Sequence, residues 1–143
     1  MRVVVTNRKA RRDYNIIETF EAGIVLKGYE VKSLRAGLAS LDGAYARVVD
    51  GEVYLIGSYI KPYEKSGYAV IDPRRNRKLL LKKREIRRLY GQTRERGYTL
   101  IPLKIYFNDR GIAKVEVGLC RGKKYYDRKE EIIRRDLERE MRK

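Results

Sequence analysis

Asp50-Gly51 separates two apolar segments of alternating pattern, SLDGAYARVV before it and EVYLIGSYI after it. An Asp-Gly pair accepts positive φ at both centres of a type I′ turn, whose twist matches that of paired strands, so a tight antiparallel hairpin is predicted. A second break, Asn108-Asp109-Arg110-Gly111, divides YTLIPLKIYF from IAKVEVGLCRG. Its residues also tolerate positive φ, which predicts a second strand pair.

The remaining pattern adds one long strand and two helices. Residues 14 to 26, YNIIETFEAGIVL, are β-branched and aromatic with partial alternation, and Ala22-Gly23 permits a bend. Residues 28 to 36 change period: Val31, Leu34 and Arg35 lie three and four apart, with Gly37 as a C-cap. In RKLLLKKREIRRLYGQTRERG, Leu81, Ile86, Leu89 and Tyr90 fall near one helical face. A helix of about three turns follows, ending near Gly91 or Gly97. No repeat recurs and the three prolines are scattered, so one domain over residues 1–122 is expected. Five or six short antiparallel strands with two or three helices give a mostly β fold, best matched by a small OB-type barrel, whose closure removes exposed sheet edges.

Charge decides the partner. The chain carries 35 Lys+Arg against 19 Asp+Glu, a net +16, which calls for a polyanion: nucleic acid or an anionic membrane. No apolar run approaches the ~20 residues of a membrane span, and MRVVVTNRKARR lacks the apolar region of a signal peptide, so the membrane reading is the weaker and a soluble cytoplasmic protein is expected. Cys120 is the one cysteine and histidine is absent, which excludes Cys/His zinc patterns and suits Cys120 to the role of a small buried hydrophobe. Without histidine, P-loop, G-x-S-x-G or D-x-D motif, neither an enzyme nor a cofactor is indicated.

Binding chemistry is better represented. Residues 74 to 88 hold nine cations against Glu85 alone, and NRKARR at 7 to 12 forms a second cluster; both are expected to contact phosphate. Lys32, Arg35, Lys104, Lys114, Lys123 and Lys124 extend the positive set. Of the 12 tyrosines, Tyr45, Tyr54 and Tyr106 fall in strand patterns and belong to the core or barrel surface. Tyr125 and Tyr126 follow Gly122-Lys123-Lys124 with no core to join and are suited to stack on bases. Residues 123–143 hold nine Lys+Arg and six acids around Ile132, Ile133, Leu137 and Met141. So narrow an apolar stripe predicts a tail disordered in isolation and helical on a partner.

Read in order, N-R-K-A at 7–10, Y-x-I-x-E-T-F-E-A-G-I at 14–24, G-x-E-V-K-S-L-R-A-G at 28–37, D-P-R-R-x-R-K-L-L-L at 72–81, Y-T-L-I-P-L-K at 98–104 and G-K-K-x-Y-D at 122–127 resemble the SmpB, or SsrA-binding protein, family over essentially the whole chain. The resemblance implies an OB-type barrel that binds the tRNA-like domain of transfer-messenger RNA. It delivers that RNA, aminoacyl-charged and with elongation factor Tu, to stalled ribosomes for trans-translation. It also implies RNA-holding roles for Asn7, Arg8, Glu21, Lys32, Leu80 and Lys114. Glu21 would accept hydrogen bonds from base edges or a 2′-OH, while Asn7 could bond RNA or its own backbone and Leu80 could equally pack in the core. By the same resemblance the tail residues Lys123, Lys124, Tyr125, Tyr126, Asp127, Arg128 and Lys129 enter the decoding site and empty messenger channel. The chain departs from the family pattern at Arg12, where many members have His, in the order Arg128-Lys129, and in a short terminal helix without tryptophan. The alternative is a generic ribosomal-RNA-binding protein.

Overall fold

The computed structural model describes residues 1–62 and 72–123. Its elements run β1 (Arg2–Thr6), α1 (Arg8–Asp13), β2 (Tyr14–Ile24), α2 (Gly28–Arg35), β3 (Ala39–Ser40), β4 (Tyr45–Val49), β5 (Glu52–Ile56), β6 (Tyr59–Ile60), β7 (Arg77–Leu80), α3 (Lys83–Thr93), β8 (Tyr98–Phe107) and β9 (Ala113–Gly122). Both predicted hairpins form. Asp50 and Gly51 take φ of 51° and 75° and set Val49 opposite Glu52. At the other turn, the Asn108 side chain accepts hydrogen bonds from the amides of Arg110 (3.0 Å) and Ile112 (2.9 Å), leaving Gly111 to supply the positive φ of 75°.

Pairing is antiparallel throughout, in the order β1-β8-β4-β5-β7-β2-β9, and β9 pairs back onto β8. Six strands, β8-β4-β5-β7-β2-β9, therefore close into a ring. β1 lies along the same edge of β8 as β4 but at its other end, opposite residues 104 to 107 rather than Leu100. β3 and β6 form a separate two-stranded sheet. The mostly β, ring-like architecture is the expected one.

The details differ where pairing is non-local. Nine strands and three helices occur among the described residues, because the short strands β1, β3, β6 and β7 are stabilised by distant partners rather than by local pattern. RKLL, expected to open a helix, is a strand: Leu79 pairs with Val53 and Ile24, and Leu80 with Gly23. The helix begins only at Lys83, with the Lys82 amide donating to Glu85 Oε1 at 3.0 Å, and ends at Thr93. Leu89 is fully buried, whereas Tyr90 is half exposed and does not join the buried face. The long strand stops at Ile24, and its register shift lies between Ile16 and Glu18, not at Ala22-Gly23. α2 ends as predicted: Gly37 takes φ 73° and the Leu38 amide bonds the Ser33 carbonyl at 2.9 Å.

The ring encloses Val53, Leu55, Leu79, Leu100, Ile105, Val115 and Val117, with Leu34 of α2 and Leu89 of α3 packed in. Each fully buried leucine contributes roughly 1.5–3 kcal/mol. Outside the ring, Ala10 of α1 covers Ile101, Leu103 and Cys120. Cys120 is the buried small hydrophobe expected, and burial pushes its thiol up to about 11.

Candidate nucleic-acid interface

Residues directly opposite in an antiparallel ladder point to the same side of a sheet. Gly23 pairs with Leu80 on one side and Lys114 on the other, and Lys114 pairs onward with Tyr106. Two residues earlier, Glu21 pairs with Glu116, which pairs with Lys104. The alternating partners Ala22, Leu79, Ile105 and Val115 point into the core, so these rows lie on the outer face of β7, β2, β9 and β8. The structure thus brings together Glu21, Leu80 and Lys114. Leu80 is 52% exposed, which resolves its two readings in favour of the surface. Gly23 makes room for it: a Cβ there would stand 3.2 Å from Leu80 Cβ, so the leucine lies over the glycine.

Tyr106, which strand pattern alone left undistinguished, organises this face. It belongs to the outer side of β8 yet is only 6% exposed, and its hydroxyl donates to Glu21 Oε2. Burial first, and then the Glu21 carboxylate, hold that hydroxyl well above the usual phenol range, so it remains a donor. Lys104 stands 5.7 Å from the Tyr106 ring centroid and 3.4 Å from Glu116. One carboxylate is neutralised by Lys104, and the other is oriented by a neutral donor. A phenol aimed at a glutamate across 85 residues leaves no trace in sequence.

Asn7 follows Thr6, which pairs with Lys104. It is buried: its amide side chain donates to the Pro102 carbonyl at 2.9 Å and its backbone N–H to the Leu103 carbonyl at 2.8 Å. Both bonds anchor the junction of β1 and α1, where Arg8 begins the helix, exposed. Lys32 is exposed on α2, which packs against β1 and β6 and not in the Glu21 row.

The cation run at 74–88 is not uniformly available to phosphate. Arg77, wholly buried, bonds Glu30 through Nε at 2.7 Å and Ser58 through Nη1 at 2.8 Å, and Arg75 also pairs with Glu30. Arg88 donates to both oxygens of Glu18. Sequence counts charge without showing which charges are already paired. Lys123 Nζ donates to the Arg11 carbonyl at 2.9 Å, tying the root of the tail to the last turn of α1. The tail residues Lys124, Tyr125, Tyr126, Asp127, Arg128 and Lys129 lie outside the described residues. Among the described residues, no helix is long and apolar enough to cross a membrane.

The family model described as SmpB protein matches residues 4–143. An SsrA-binding protein of Thermus thermophilus is 60% identical over 142 residues, covering 96% of this chain and 99% of the relative. One from Moorella thermoacetica is 55% identical over 141 residues, covering 99% and 91%. A solved structure described as "tmRNA-SmpB: a journey to the center of the bacterial ribosome" contains a chain 64% identical, with a TM-score of 0.69 over 82% of both chains. A family match over residues 4–143, the shared fold and 55–60% identity over nearly the full length have one explanation: the chain belongs to the SmpB family.

Proposed function

We propose that this chain binds the tRNA-like domain of transfer-messenger RNA and delivers it, aminoacyl-charged and with elongation factor Tu, to stalled ribosomes for trans-translation in the cytoplasm. The observation that carries the reading is the meeting of Glu21, Leu80 and Lys114 on one outer face, alongside the relatives' description as SsrA-binding proteins. Each residue has a distinct task there. Lys114 meets phosphate, Leu80 packs on a base or ribose, and the Glu21 carboxylate accepts hydrogen bonds from base edges or a 2′-OH. Arg8 and Lys32 add phosphate contacts at the margins, and Asn7 holds the backbone from which Arg8 projects. Residues 1–122 form the RNA-binding domain. Residues 123–143 form the tail, in which Lys123, Lys124, Tyr125, Tyr126, Asp127, Arg128 and Lys129 occupy the decoding site and the rest follows the empty messenger channel as a helix.

Glu21→Lys separates this reading from generic ribosomal-RNA binding. Filter binding at physiological salt should show affinity for the tRNA-like domain falling by about tenfold or more, ~1.4 kcal/mol, while an unrelated RNA hairpin binds more tightly. Stronger binding to both RNAs would refute specific recognition.

A further inference from the structure

β4 and β8 pair at a single position, Ala46 with Leu100. Beyond it the strands part, and α3 packs across the gap, leaving an open groove of about 340 Å³, within the ~300–1,000 Å³ range of small-ligand sites. Its walls are Tyr45 and Arg47 of β4, Tyr90 of α3, Arg94 just past the end of that helix, and Tyr98 of β8, with Leu100 at the floor. Tyr45 is 41% and Tyr90 50% exposed. The Arg94 guanidinium lies 5.4 Å from the Tyr90 ring centroid. No carboxylate lines the groove, and among the described residues neither Arg47 nor Arg94 has an acidic partner.

Half-exposed aromatic rings beside guanidiniums with no acidic partner among the described residues form the surface that unstacked bases and their phosphates require. Every base has a π-face for the ring, and each phosphate offers the charge the arginines lack. A duplex, with its bases already stacked, cannot use it. We infer that the groove between β4, α3 and β8 is a second nucleic-acid site, binding single-stranded RNA by stacking bases on Tyr45 and Tyr90 with Arg47 and Arg94 on the phosphates. It lies at the Tyr98 end of β8, whereas the Glu21 face lies at the Tyr106 end. Seven residue steps, from Thr99 to Tyr106, separate them along the strand, about 23 Å, so the two surfaces are distinct. The inference does not depend on what the Glu21 face binds.

The test uses the full chain with a fluorescent oligoadenylate at physiological salt. The Tyr45→Ala/Tyr90→Ala variant should lose roughly tenfold or more in affinity, and Tyr45→Phe/Tyr90→Phe should stay within about threefold of the parent, since a phenyl ring still stacks. Arg47→Gln/Arg94→Gln should weaken binding and flatten its salt dependence. Lys114→Ala, on the other face, should weaken oligoadenylate binding far less than the double alanine variant, and an equal loss would put the strand on the Glu21 face. Circular dichroism verifies that each variant is folded. If the parent and the alanine variant bind equally, if the phenylalanine variant loses as much as the alanine one, or if a duplex competes as well as the single strand, stacking in this groove is wrong.

Discussion

The carboxylate of Glu30 and the guanidinium of Arg77 meet in the interior, 47 residues apart in sequence, with Arg77 Nε 2.7 Å from Glu30 Oε2. Glu30 is 2% and Arg77 0% exposed. Glu30 also accepts from the Lys27 amide at 2.8 Å and from Arg75, while Arg77 reaches the Ser58 and Pro73 carbonyls at 3.1 and 3.0 Å. The pair fastens α2 to β7 and to the approach to β7, joining the two motif strings EVKSLRAG and RKLLL. Breaking it leaves a buried charge uncompensated.

Glu30→Ala should therefore destabilise the protein by about 3–5 kcal/mol, and Glu30→Leu/Arg77→Met should recover part of the loss in urea unfolding. Burial alone would raise the Glu30 carboxyl, but its bonds from Arg75, Lys27 and Arg77 outweigh this and hold it below the ordinary value. A carboxyl depressed in the folded state adds stability above its unfolded value, about 4.3, and loses it as pH falls through the folded one. The melting temperature should be insensitive to this group from neutral pH to about 5 and fall below that. A Glu30→Gln variant should start lower at neutral pH and show a shallower acid slope; an identical slope would remove Glu30 from the account.

Cys120 should be chemically silent in the native protein. With its thiol pushed up to about 11 by burial, beneath α1, little thiolate exists at neutral pH. Reaction with a thiol-specific disulfide reagent should be negligible until denaturant is added and then proceed to one equivalent. Rapid modification of the folded chain would mean that α1 opens readily.

Tyr106→Phe removes the hydroxyl that orients Glu21 while keeping the ring that Lys104 approaches. Thermal stability should fall by about 1.5–3 kcal/mol at most, the range for a hydrogen bond to a charged group, and affinity for the tRNA-like domain should fall without a change in salt dependence, because no phosphate contact is lost. A steeper or flatter salt slope would show that Tyr106 acts on the phosphate-binding lysines instead.

Deleting residues 124–143 keeps Lys123 and its bond to the Arg11 carbonyl. Affinity for transfer-messenger RNA should stay within about threefold, under ~1 kcal/mol, while peptide tagging on stalled ribosomes in vitro is lost. Equal losses in both assays would contradict the division of labour between the domain and the tail.

What could be read from sequence is what short-range chemistry determines. Asp50-Gly51 and Asn108 to Gly111 specify their own turns, and Gly37 its helix end. β1 and β7 escape such reading because RVVVT and RKLL become strands only through β8, β5 and β2. Leu80 was ambiguous because an apolar residue beside a helix pattern gives no outward direction; its register against Gly23 does. Arg75, Arg77 and Arg88 resembled phosphate ligands until the structure placed Glu30 and Glu18 beside them. Tyr106 was visible as a residue but not as the partner of Glu21, since only the ladder of β2, β9 and β8 brings them together.

The single backbone pairing of Ala46 with Leu100 makes this joint the smallest buckle in the belt of strands. Thermal fraying starts at such a joint, while the two hairpins on either side stay zipped, so amide exchange should report opening there before anywhere else in the closed circuit. Such opening would leave Glu21 and Lys114 undisturbed, because β2, β9 and β8 carry the longest ladders.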